Sequence, residues 1–241
     1  MDYSTVILVI FAFAAAFLQR VSGFGFGILI MTVLPYIMGS YGEATALSGL
    51  LAMVTSGIVV AQSFRSIPWR KLLPILVTFV VVSWFAVLIV ACQPGELIHK
   101  ILGVVLILAS IWFFFFSGRV RLRPSIGVQV SLGTLSGFMG GLFGMQGPPA
   151  VVYFLSASSS KAEYAALSQA YFLIGNVIMS VFRYQHGFIT PSVGRAWLVA
   201  IVAVLLGGWF GSKVFERLSA ESVRKVAYAY MAVSGVITLL R

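Results

Sequence analysis

Two glycine clusters in this chain each carry polar side chains suited to holding an anion. In FLQRVSGFGFGILIMTVLP (17–35), Arg20 precedes Ser22, Gly23, Phe24 and Gly25 within an apolar stretch. A guanidinium presents a planar fork of N–H donors and can hold two oxygens of one oxyanion at once. In GTLSGFMGGLFGMQGPPAVVYFL (133–155), Ser136, Gly137, Gly144, Gln146, Gly147 and Pro148 form the second cluster. Gln146, beside the proline pair, is the better candidate for direct contact with a bound group. Downstream, SQAYFLIGN (168–176) sets Gln169 and Asn176 seven residues apart, on one helical face. They either line a cavity or bond a neighbouring helix.

Acid–base, nucleophilic and metal chemistry find little support. Asp2 is the only aspartate, Cys92 the only cysteine, and His99 and His186 lie far apart, each near a segment end. A lipid-modifying membrane enzyme needs a cluster of such groups at one membrane face, so an enzyme is not expected, nor is any cofactor or metal. Glu43 and Glu163 open two matching segments. Their places suit a carboxylate complementing a helix dipole or a proton-coupling role.

The elements that position these residues follow from composition. The 241 residues are 60% hydrophobic and 9% charged, with mean hydropathy +1.04. Soluble domains are about 25% charged. Uncharged runs at 44–64, 72–95, 101–118, 164–182 and 196–212 approach the ~20 residues of a spanning helix. The expected class is an all-α polytopic membrane protein. The net charge of +10 comes from residues placed between apolar runs. These read as topology signals rather than a nucleic-acid surface. The N-terminus lacks a basic leader and a small-residue cleavage site and reads as a retained first helix.

Hydropathy divides the chain into 4–20, 24–38, 44–63, 72–92, 97–117, 126–142, 148–159, 163–185, 196–215 and 222–240, so 8–10 spanning or re-entrant segments are expected. The basic connection SGRVRLRPS falls at the centre, giving a first repeat over 1–118, a joint at 119–125 and a second repeat over 126–241. SGF at 22–24 recurs at 136–138, EATALS (43–48) as EYAALS (163–168), and ELIHK (96–100) as ESVRK (221–225). These matches fall in order with slowly growing offsets, as a duplication would leave them. Five segments per repeat requires the repeats to be inverted, and the basic residues agree. Arg65, Arg70 and Lys71, the central Arg119, Arg121 and Arg123, and Lys213, Arg217, Arg224 and Lys225 fall on one side. The poorer connections hold Lys100, or Arg183 and Arg195. The rich side is cytoplasmic by the positive-inside rule, which puts both termini outside.

Inverted repeats with interrupted segments at matching positions point to a transporter whose site lies at the repeat interface. The sequence GPP (147–149) must interrupt a helix, because proline lacks the N–H donor and clashes with the preceding turn. Broken backbone in a bilayer is tolerated where it is buried in protein or lines a wet cavity. Between Arg123 and Lys161 lie 37 uncharged residues, short for two full spans and a turn. If the first two segments form a re-entrant hairpin, Arg20 sits near mid-membrane and is functional. If the first segment spans, Arg20 is a topology residue.

At these residues the chain resembles the sulfite exporter TauE/SafE family of bacterial anion permeases. The shared pattern is a glycine-studded helix that runs into a glycine cluster and then a proline before an aliphatic run. The resemblance implies a secondary transporter of sulfite or small organosulfonates such as sulfoacetate, in the bacterial cytoplasmic membrane. An anion channel, and more remotely an integral membrane enzyme or an assembly subunit, are the alternatives. The expected partners are a small anion and membrane lipids, with homodimerisation left open. The expected site comprises Arg20, Ser22, Gly23, Phe24, Gly25, Ser136, Gly137, Gly144, Gln146, Gly147, Pro148, Gln169 and Asn176.

Overall fold

The structure, a computed structural model, describes residues 3–93, 95–116 and 122–214, together with 232, 233, 235, 236 and 239. Arg119, Arg121, Arg217, Glu221, Arg224 and Lys225 lie outside the described residues, as does most of the expected segment 222–240. The described chain is helical, without strands. Its elements are α1 (Tyr3–Ser22), α2 (Phe26–Ile30), α3 (Leu34–Ile37), α4 (Tyr41–Ser63), α5 (Trp69–Cys92), α6 (Gly95–Phe116), α7 (Ile126–Phe143), α8 (Gly147–Ala157), α9 (Lys161–Gln185) and α10 (Pro191–Val214). Among the described residues, α1, α4 with the 3-10 turn after it, α5, α7, α9 and α10 are long and apolar enough to cross a membrane. The outward faces of α5 and α10, with Val77, Val81 and Phe85 on one and Leu198 and Val202 on the other, are exposed and apolar. In a bilayer such faces meet lipid.

Three helix pairs organise the bundle: α1 with α10, α5 with α7, and α4 with α9. The first two are parallel pairs built on small residues. A β-carbon on Gly133, Gly137 or Gly141 of α7 would come within 3.0 Å of the carbonyl oxygens of Ile75, Phe79 and Ser83 on α5. Each four-residue step on one helix is thus matched by four on the other. On α10, Gly207 rests on the Phe13 carbonyl, and Gly211 lies against the Phe17 carbonyl and the Arg20 stem. Lipid supplies no hydrophobic drive for helix association, so close backbone approach at small residues supplies it instead. The central pair is antiparallel: Gly49 of α4 faces Asn176 and Arg183 of α9, while Ser56 faces Gln169.

The two glycine clusters break their helices. Gly25 takes φ +102 before α2, and Gly144 takes φ +67 after α7. These left-handed values disfavour any residue with a side chain. The return arms are short. The predicted single segment 24–38 is two helices of five and four residues, α2 and α3, separated by a turn at 31–33. The arm after α7 is the 11-residue α8. Both are well below the ~20 residues of a full span, whereas the 20-residue α1 is long enough to cross.

The helices α4 and α9 begin with the same device. Ser40 and Ser160 are N-caps whose hydroxyls accept from the Glu43 and Glu163 N–H groups. The two carboxylates reach back to the N–H groups of Gly39 and Ser159. Each is a variant of the capping box in which the carboxylate accepts from the residue before the N-cap.

Candidate functional site

The glycine breaks meet at the middle of the bundle. A β-carbon on Gly27 would collide with the Gly144 carbonyl oxygen, so the two interrupted backbones touch directly. Beside this crossing lies a small cavity of about 30 Å³, space for about two waters. Gly25, Gly144, Gln146, Gly147, Pro148 and Asn176 of the expected site line it. Gln19, which the sequence reading did not single out, completes its polar wall.

The amides of Gln146 and Gln19 are each half-committed. Gln146 Nε2 donates to the Phe172 carbonyl at 3.3 Å, while its Oε1 is buried without a partner. Gln19 Nε2 donates to Ser56 Oγ and Gln169 Oε1, both at 3.0 Å, and its Oε1 is likewise unpartnered. Rotation of a carboxamide exchanges its oxygen for two N–H donors. Turning donors into the cavity costs each amide the bonds its Nε2 now makes, which a bound oxyanion would replace by accepting from them. The start of α8 offers few backbone donors. Pro148 and Pro149 occupy the first turn of α8 and remove two of the donors a helix start normally offers.

Below the cavity a second space of about 1350 Å³ runs to one end of the bundle. The expected residues Arg20, Ser22, Gly23 and Gln169 line it, with Lys161, Gln62 and a row of serines at 158–160. Gln19 borders both spaces and forms the partition between them with Ser56 and Gln169. Gln169 Nε2 also holds the Gly23 carbonyl at 2.8 Å, which pins the first break to α9. Of the ionisable side chains lining this vestibule among the described residues, Arg20 and Lys161 are cations and none is a carboxylate.

The remaining expected residues lie elsewhere. Phe24 is buried beside Gly147. Ser136 is bonded to the Gln146 carbonyl and accepts from Tyr171 Oη at 2.7 Å, tying the second break to α9. Gly137 packs against α5. Glu43 accepts from Thr190 at 2.8 Å and Glu163 pairs with Lys71 at 2.6 Å. Neither carboxylate lines either space.

A model of the family described as "Sulfite exporter TauE/SafE" matches residues 8–238. The chain belongs to the TauE/SafE family. It is 21% identical to a probable sulfite/organosulfonate exporter TauE of Cupriavidus necator, covering 94% of this chain and 90% of that one. It is also 21% identical to a probable membrane transporter protein of Methanocaldococcus jannaschii, covering 97% and 95%. No solved structure matches it. With six long apolar helices among the described residues, this TauE/SafE member is a multi-pass membrane transporter.

One arginine contradicts its sequence reading. Arg183, expected in a connection, lies inside α9 and is 1% exposed. Its approach to the helix end hid it, since a charge two residues before a helix terminus reads as interfacial.

Proposed function

We propose that this TauE/SafE protein carries small sulfur oxyanions, sulfite or organosulfonates such as sulfoacetate, across the bacterial cytoplasmic membrane by alternating access. The observation that carries the reading is the small amide-lined cavity at the crossing of two broken hairpins, joined through Gln19 to a cation-lined vestibule. An anion drawn to Arg20 and Lys161 moves toward neutral donors on Gln19, Gln146 and Asn176. Neutral amides hold an oxyanion by hydrogen bonds without trapping it as a fixed countercharge would.

The two halves are read as inverted repeats. In support, α1 pairs with α10 as α7 pairs with α5, and the capping boxes of α4 and α9 match group for group. The vestibule end also gathers Arg65, Arg70, Lys71, Arg123 and Lys213, against Lys100 and Arg195 at the other end. We read the basic end as cytoplasmic, so the vestibule faces inward. Glu43 and Glu163 are read as caps rather than proton carriers. A chain of protonatable groups through the bundle is not needed for exchange or uniport.

Thermal stabilisation of the detergent-purified protein against sulfite, sulfate, thiosulfate, taurine, sulfoacetate, acetate and phosphate tests the reading. A ligand at 100 times its dissociation constant adds about 2.7 kcal/mol, a clear rise in Tm. Selective stabilisation by sulfite or a sulfonate is expected, and silence across the panel rejects the sulfur-anion assignment. Saturable flux with counterflow then separates a carrier from a channel.

A further inference from the structure

A second polar cluster lies on the far side of the glycine crossing from the vestibule. Arg183 sits seven residues beyond Asn176 on α9, about 10 Å further along the helix and on the same face. Its Nη2 donates to the Gly140 carbonyl at 3.0 Å, and its Nε is buried without a partner. Ser180 Oγ, one turn back, is also buried and unpartnered. The three polar residues converge on one point of α4: a methyl group added to Gly49 would lie 3.0 Å from Arg183 Nη1, 3.6 Å from Asn176 Oδ1 and 3.9 Å from Ser180 Oγ.

A buried guanidinium is costly unless a counterion or a full set of acceptors compensates it. The three carboxylates among the described residues are engaged elsewhere: Glu43 with Gly39 and Thr190, Glu96 with Lys100, and Glu163 with Lys71 and Ser159. One carbonyl is a meagre partner for five donors. Helix packing alone does not explain the choice, since an apolar side chain fills such a place without the desolvation cost.

We infer that Arg183, with Ser180 and Asn176, is a second anion-binding station on the outer side of the central cavity. It takes the oxyanion between that cavity and the outer face. This rests on the transport reading above. In the closed arrangement Arg183 holds the Gly140 carbonyl, one helical turn from the Gly144 break. When the outer side opens, the oxyanion replaces that carbonyl and accepts from the fork of donors. Asn176 is shared, bordering the central cavity and this cluster, so the anion passes from amide to guanidinium without leaving hydrogen-bonding range.

The test uses the full chain in oriented proteoliposomes, with half-saturation for sulfite and for sulfoacetate measured separately from each face. Arg183→Gln raises half-saturation from the outer face by roughly tenfold or more, the scale of one lost charge-assisted bond. Arg183→Lys, which keeps charge but loses the fork, and Ser180→Ala give smaller rises on the same face. Half-saturation from the inner face stays within about twofold in all three. The ligand-free Tm identifies folded variants; should Arg183→Gln fail to fold, Arg183→Lys and Ser180→Ala decide. Unchanged outer half-saturation in folded variants, or equal rises from both faces, overturns the station and leaves transport standing. Wild-type protein that moves neither anion overturns the transport reading itself, and the station with it.

Discussion

At the scale of single residues, the proposed function divides the work between hydrogen bonding in the cavity and charge in the vestibule. Gln146→Ala and Gln19→Ala each remove a neutral donor from the cavity wall and should weaken binding of a stabilising anion by roughly ten- to a hundredfold, as loss of a hydrogen bond to a charged group does. Gln146 also touches Gly175 and Phe172, so its ligand-free Tm is measured alongside. Arg20→Ala should act differently. Its guanidinium lines the vestibule, so the variant should slow uptake and flatten the salt dependence of the rate, leaving affinity at the cavity nearly intact. Equal loss of affinity in Arg20→Ala and Gln146→Ala would place the bound anion in the vestibule instead. Gln19 was hidden in the sequence by its neighbour. One residue apart on a helix is about 100° of rotation, so Gln19 reaches the central cavity as well as the vestibule while Arg20 lines the vestibule alone, and only the packing of α1 against α4 and α9 says so.

At the scale of elements, the glycines separate into two kinds that the sequence presents alike. Gly133, Gly137 and Gly141 let α7 lie on α5, whereas Gly25, Gly27 and Gly144 shape the crossing. Gly27→Ala drives a β-carbon into the Gly144 carbonyl and should lower Tm strongly, since overpacking against backbone costs at least about 1–3 kcal/mol. Gly144→Ala imposes a left-handed conformation at about 1–2 kcal/mol. Gly127, with open space around it, should accept alanine with no loss of Tm. If Gly27→Ala melts with Gly127→Ala, the breaks do not touch in the membrane. Much of this architecture was legible in advance. The long apolar helices are set by hydropathy, α4 and α9 by the glutamates that open them, and the shortness of α8 by the uncharged run between Arg123 and Lys161. The division of 24–38 into α2 and α3 was not. Its turn at Met31, Thr32 and Val33 carries neither proline nor glycine, and hydropathy does not register a break made of apolar residues. Arg183 was missed for the opposite reason, since burial depends on what surrounds a residue rather than on its place in the chain.

At the scale of the whole molecule, the basic residues give an orientation that labelling can check. Cys92, the only cysteine, is exposed at the end of α5 opposite Lys71. In intact cells a membrane-impermeant maleimide should label Cys92. In a Cys92→Ala background it should label Arg65→Cys only after the membrane is opened. Labelling in the reverse pattern would turn the vestibule outward and exchange the faces assigned to Arg20 and Arg183. The crossing of Gly27 and Gly144 bears on how such a molecule moves. Two segments whose backbones meet glycine to glycine carry no β-carbon at the point of contact itself, so they can turn on each other there while Met31 and Phe24 slide past Gly144 and Gly147. The crossing is then a fulcrum, and a tilt that parts the arms at one end of the bundle draws them together at the other.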